Sequence, residues 1–163
     1  MDDARLRTYL NDHLAGASAA VWTLVRLAAD HASDELGQPL ADLRDQVAMD
    51  RDTLRGVVGL LPAGESPWKR TLGTVGAVAA WGRNLLPGSR PTPAEELEAL
   101  AIGVWGKRLL WGTLTRVAER DPRFADLDVE DLTERAEEQE KELLRLRDRF
   151  LDEAFGLTPA TSA

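Results

Sequence analysis

Two histidines, His13 and His31, and a pool of 28 acidic side chains are the residues of this chain from which a reactive or metal-holding site could be built. Inside four helices, a di-iron centre takes a Glu from each of two helices and a Glu-x-x-His pair from each of the other two. Two irons want about four carboxylates and two neutral imidazoles, all pointing inward. Leu10 stands three residues before His13 and Ala28 three before His31, so the chain has no Glu-x-x-His. It has no cysteine either, which removes disulfides, thiolate metal sites, iron–sulfur clusters and a Cys nucleophile. A nucleophile elbow, a phosphate loop and a His–carboxylate–Ser arrangement are likewise missing from the pattern. The sequence therefore predicts a non-enzymatic chain with no catalytic residue, cofactor or metal.

The polar residues that remain stand in four apolar seams. These run Leu6, Leu10, His13, Ala17, Ala20, Leu24, Leu27; Leu40, Leu43, Val47, Asp50, Leu54, Val57, Leu61; Leu97, Leu100, Val104, Lys107, Trp111, Leu114, Ala118; and Val129, Leu132, Ala136, Gln139, Leu143, Leu146, Phe150. Alternating steps of three and four keep each seam on one helix face. Four such faces bury one another in a bundle. Lys107 falls where a di-metal site would want a carboxylate, and an ammonium there repels a cation. Counted from their shared turn, Lys107 and Gln139 come within about 3 Å of one level at 1.5 Å per residue. A polar core layer of Asp50, Lys107, Glu138 and Gln139 is expected, pairing its charges and penalising slipped register. The same count leaves His13 about 12 Å from Asp50 along the axis, so it reads as a core histidine.

The elements that would position this layer are marked by their ends. The first helix is predicted over roughly 3–32, with Asp2 and Asp3 at its positive end. A turn follows in which Gly37 takes positive φ, and Pro39 opens a second helix that stops at Pro62. Thr92-Pro93-Ala94-Glu95 is a capping box with Pro at the first helical position, opening a helix to about Arg120. Asp128 caps the last helix, which ends before Gly156 as a C′ residue. Between the hairpins, residues 62–91 form a long connection holding a short helix over 67–86. Two antiparallel hairpins joined by one long crossover give an all-α, ferritin-like four-helix bundle over 1–156 with a disordered tail at 157–163. Gly16, Gly103, Gly106 and Gly112 fall inside helices and suggest close packing, Gly16 against a bulky neighbour such as a Trp.

Charge narrows the partners. The chain of 163 residues is at −8, which argues against nucleic acid, since phosphate binding needs a basic face. Residues 66–94 hold Lys69, Arg70, Arg83 and Arg90 and no acidic residue, which leaves the rest of the chain at −12. Trp68, Lys69, Arg70, Trp81 and Arg83 form a candidate interaction surface on the crossover. Covering its own bundle is the first reading of that helix, with a second copy, another protein or a membrane surface as alternatives. The acidic remainder argues against anionic lipid. No window is long and apolar enough to span a bilayer. The opening MDDARLRTYL lacks the basic start and apolar core of a secretory signal, so a cytoplasmic location is expected. The run Glu134 to Arg149 reads as a solvated face with a Glu137–Lys141 pair.

Tyr9-Leu10-Asn11-Asp12-His13-Leu14-Ala15-Gly16-Ala17, then Glu98-Ala99-Leu100 through Gly103 with Gly106-Lys107 and Leu110-Trp111, then Ala136-Glu137-Glu138-Gln139 resemble three helices of a family of uncharacterised bacterial ferritin-like proteins without di-iron ligands. The resemblance spans about 5–150. It implies the fold and brings no activity. The expectation is a non-catalytic bundle acting as a structural or protein-interaction module. The competing expectation is a divergent metal-binding oxidoreductase using His13, Asp50, Glu137 and Glu138.

Overall fold

The structure, a computed structural model, describes residues 1–62, 91–155 and 157. Among them are four α-helices, α1 (Asp3–Asp30), α2 (Gly37–Gly59), α3 (Pro93–Ala118) and α4 (Val129–Phe155), and one 3-10 turn, Pro122–Phe124. The helix expected over 67–86, the surface of Trp68, Lys69, Arg70, Trp81 and Arg83, the C′ role of Gly156 and the tail at 158–163 lie outside the described residues.

Side-chain caps account for three of the four helix starts, and two of them, Thr92 and Asp128, are the predicted ones. The Thr92 hydroxyl accepts from the Glu95 amide at 3.3 Å, while Glu95 accepts from the Thr92 amide at 2.7 Å, so two orphan donors are satisfied reciprocally. Asp128 accepts from the Asp131 amide at 3.1 Å, and Asp2 from the Arg5 amide at 3.0 Å. The second helix differs from its prediction. It begins at Gly37, not Pro39, with Leu36 at the cap and no side-chain cap bond. Gly37 does not take a left-handed backbone. It is glycine because the chain doubles back on itself: a Cβ there would run into the His31 carbonyl oxygen and stand 3.0 Å from the Ala32 Cα.

Ion pairs and hydrogen bonds between helices give the topology. Tyr9 meets Thr113 at 3.3 Å and Arg26 pairs with Glu96, so α1 and α3 are antiparallel. Arg108 pairs with Glu137 and Glu140, and Arg147 with Glu98, so α3 and α4 are antiparallel as well. At one end Arg7 donates to the Leu61 carbonyl and Arg123 pairs with Asp3. At the other end Arg149 pairs with Glu35. Hence α2 and α3 run parallel, and the connection from Pro62 to Pro91 has to travel the length of α2, about 35 Å for 23 residues. Two antiparallel hairpins with α2 and α3 parallel are the arrangement the helix order implied.

The seams form the core. Leu10, Leu24, Leu27, Leu40, Leu43, Leu97, Trp111, Leu114, Leu143 and Leu146 are fully buried. The α1 seam is the exception: no residue from Asn11 to Thr23 is fully buried, since His13, Ala17 and Ala20 are half-exposed. A further buried side chain, Phe124, comes from the single turn Pro122–Phe124, which is fixed by Asp121 accepting from the Arg123 amide at 3.0 Å.

The helical glycines do not mark close packing. Among the described residues, an added Cβ at Gly16, Gly103, Gly106 or Gly112 would meet nothing within 4 Å. These glycines carry only the entropic cost of glycine in a helix. Gly103→Ala should therefore stabilise the protein by about 0.5–1 kcal/mol. Gly37→Ala should destabilise it by about 1–3 kcal/mol through backbone collision. Urea unfolding of the two variants beside the wild type checks both signs.

Candidate functional site

The polar layer sits at mid-height and is built from three helices. Asp50 on α2 is 2% exposed. Its Oδ2 accepts from Lys107 Nζ on α3 at 2.6 Å and from Gln139 Nε2 on α4 at 3.0 Å. Lys107 also donates to Gln139 Oε1, so each pair of the three is joined. Arg135, one turn before Gln139 on α4, places Nη2 3.1 Å from Asp50 Oδ1 and Nη1 3.3 Å from Asp131. Burial pushes the Lys107 ammonium below its ordinary range, and the adjacent Asp50 carboxylate offsets part of that shift. Asp50 is thus a buried carboxylate that accepts two hydrogen bonds, from Lys107 and Gln139, and is ion-paired with Arg135 as well.

Three of the four expected members, Asp50, Lys107 and Gln139, are brought together. Glu138 is not. It is exposed and faces a groove of about 390 Å³ between α2 and α4, lined also by Pro39, Asp42, Leu43, Gln46 and Glu142. One residue of helix is a 100° rotation, which takes position 138 off the face that holds 139. Arg135 was missed. Its signal was the i,i+4 spacing to Gln139, which stacks the two on neighbouring turns of one face.

The four residues of the alternative metal set do not converge. Glu137 pairs with Arg108 at 2.7 Å on the surface, in place of the expected Lys141. Arg108 comes from another helix, and the α3–α4 contact decides the partner. Among the described residues no three His, Asp or Glu side chains form a group able to hold a metal ion. His13 is half-buried with its ring edge-on to Tyr9, centroids 4.7 Å apart. The observed helix ends revise its level. It lies 17 residues before Asp30, and Asp50 lies 13 after Gly37, a gap of about 6 Å along the axis instead of 12 Å. Burial lowers the His13 pKa, with Asp12 opposing weakly.

A second feature is on the outside. Trp22 is 75% exposed and Trp105 55%, and Ile102 and Leu109 are also exposed. Ile102, Trp105 and Leu109 are spaced three and four apart, which makes a second apolar stripe on α3 distinct from its core seam. That spacing was readable in the sequence. Comparison of the chain with family models, with curated proteins and with solved structures finds no match.

Removing the cation from the layer leaves Asp50 buried with weaker partners. Lys107→Met should therefore cost about 2–4 kcal/mol of stability, less than a fully unpaired charge because Arg135 and Gln139 remain. In a cycle with Asp50→Asn the two changes should be non-additive by about 1 kcal/mol or more. Chemical denaturation of the four proteins measures both. The His13 shift has its own sign. A folded-state pKa below the ordinary 6.5 means the unfolded chain takes up a proton that the fold resists. Stability should then fall as pH drops from 6.5 through the lowered His13 value, and His13→Gln should flatten that part of the curve. Melting temperature followed from pH 7.5 to pH 5 reads the difference.

Proposed function

We propose that this chain is a non-catalytic ferritin-like helical bundle that works as a structural or protein-interaction module. The observation that carries this reading is the Lys107 ammonium seated 2.6 Å from Asp50 at the centre of the bundle. In a di-iron bundle that level holds carboxylates and imidazoles arranged around cations. Here a side-chain cation already neutralises the buried carboxylate, so the layer is electrostatically closed without a metal. Inserting a divalent ion would set it against both Lys107 and Arg135. The layer instead supplies register, because a slipped helix would strand Asp50 without donors.

The surface supports the second half of the reading. Trp22 and Trp105 are exposed, and tryptophan is enriched where proteins meet. Together with the Ile102–Leu109 stripe they give the bundle apolar contact area on its outer faces.

Protein purified without added metal and without a His tag should carry far less than one equivalent of iron, manganese or zinc by elemental mass spectrometry. Near-stoichiometric metal surviving dialysis would overturn the reading in favour of a divergent metalloprotein. The protein-interaction half is checked by Trp105→Asp, which should leave the melting temperature within a degree or two, since the side chain is largely exposed, and should weaken any association seen by sedimentation.

A further inference from the structure

The side of α3 turned away from the core carries a row of its own. Glu95, Ile102, Leu109 and Arg116 are all exposed and stand seven residues apart. Seven residues are close to two helical turns, so the four lie along one face, about 32 Å from end to end. Trp105 stands beside the middle of the row, exposed like Ile102 and Leu109. Gly106 and Gly112 flank it, and among the described residues an added Cβ at either would meet nothing within 4 Å. On α4, Glu140 pairs with Arg108 and Arg147 with Glu98. Leu144 lies between those two residues on the α4 edge that borders α3, and it is exposed as well. The result is an apolar strip with an acid at one end and a base at the other.

Such a row is complementary to itself turned end over end. A two-fold axis beside Trp105, halfway between Ile102 and Leu109, lays Ile102 of one copy on Leu109 of the other. The same operation sets Glu95 against Arg116 at both ends and brings the two Trp105 side chains together at the axis. A parallel pair would do the reverse, with Glu95 on Glu95 and Arg116 on Arg116, and like charges so placed repel. A heptad row drifts by about 20° per repeat on a straight helix, so two rows stay in contact by crossing at about 20°. The row itself is neutral, which lets it join chains that each carry −8.

We propose that α3 is a dimerisation helix, pairing antiparallel with α3 of a second copy along Glu95, Ile102, Leu109 and Arg116. This rests on the interaction reading above and names the partner. The contact is isologous and closes at two subunits. A strip about 32 Å long and about 10 Å wide covers less than the ~800 Å² per partner of a standard interface, so the dimer is weak, reversible and in the micromolar range.

Sedimentation velocity of the full-length protein over rising concentration tests the pairing. The wild type should pass from monomer to dimer. Ile102→Lys and Leu109→Glu should each weaken the dimer by about tenfold or more, with melting temperatures near the wild type's because both sites are exposed. An equimolar mixture of the two variants should regain dimer, since the antiparallel pair sets the new ammonium against the new carboxylate and keeps one Ile102–Leu109 contact. Gly106→Cys, in a chain with no other cysteine, should be joined to its copy by a short bis-maleimide. Arg116→Cys should not be, because the two copies of that position stand about 32 Å apart in this pairing. A wild type still monomeric at about 500 μM overturns the proposal and gives the row to another occupant, while the non-catalytic bundle is judged separately by its metal content. A dimer that both variants leave intact, or a mixture no better than its components, overturns it too.

Discussion

A carboxylate buried at mid-bundle has to be neutralised where it stands, and in this protein that constraint joins the two halves of the fold. Asp50 belongs to the first hairpin, while Lys107, Gln139 and Arg135 belong to the second. Side-chain contact between α2 and α4 is otherwise thin at the groove where Asp42, Gln46, Glu138 and Glu142 face one another. Four acceptor-bearing side chains in one groove offer no mutual attraction. The Asp50 layer therefore supplies across that seam what apolar packing supplies within each hairpin. Its worth lies in specificity more than in net stability, since desolvating Lys107 offsets much of the Coulombic gain.

Arginines close the rest of the hairpin–hairpin boundary. Arg26 reaches Glu96, Arg123, itself held by Asp121 of its own hairpin, reaches Asp3, and Arg149 reaches Glu35. Each of these pairs lies near an end of the bundle, where helix termini expose unpaired backbone groups and the core thins out. Arg123 holds both Asp3 and Asp121 below the usual carboxylate range. The Arg123 and Arg149 pairs are solvent-accessible and add orientation and little energy, while Arg26–Glu96 is half-buried. Together with the mid-height layer they fix the relative slide of the hairpins at three heights. The α1 seam, half-open from Asn11 to Thr23, is the one long stretch where the described bundle does not close on itself. It lies beside the one layer of the core that is polar among the described residues.

The candidate site was legible in outline. Lys107 and Gln139 could be placed at one level from sequence because both are counted from a short turn, and each residue adds a fixed 1.5 Å. Asp50 could be added because a lone acidic residue in an apolar seam requires a cation. Glu138 does not join the layer because a shared height is not enough: one residue of helix turns the side chain about 100° away from the face that holds Gln139. Arg135 went unnoticed because it reaches the layer by the length of its side chain, not by its place in the seam. His13 was set too far away because helix ends shift by one or two residues, and two such errors add along the axis.

The order and type of the four described α-helices, the seams, the capping box at Thr92 and the lack of a Glu-x-x-His motif follow from the sequence alone. Those properties depend on residues close together in the chain or on the residues it lacks. Tertiary structure decided everything that depends on which surfaces meet. It gave Glu137 to Arg108 instead of Lys141, buried Phe124 under a single turn, and left Gly103 and Gly106 facing open space. It made Gly37 necessary through a carbonyl six residues away instead of through its own φ. A helix specifies its own faces, but only the neighbours it packs against determine which face is covered and what each side chain can reach.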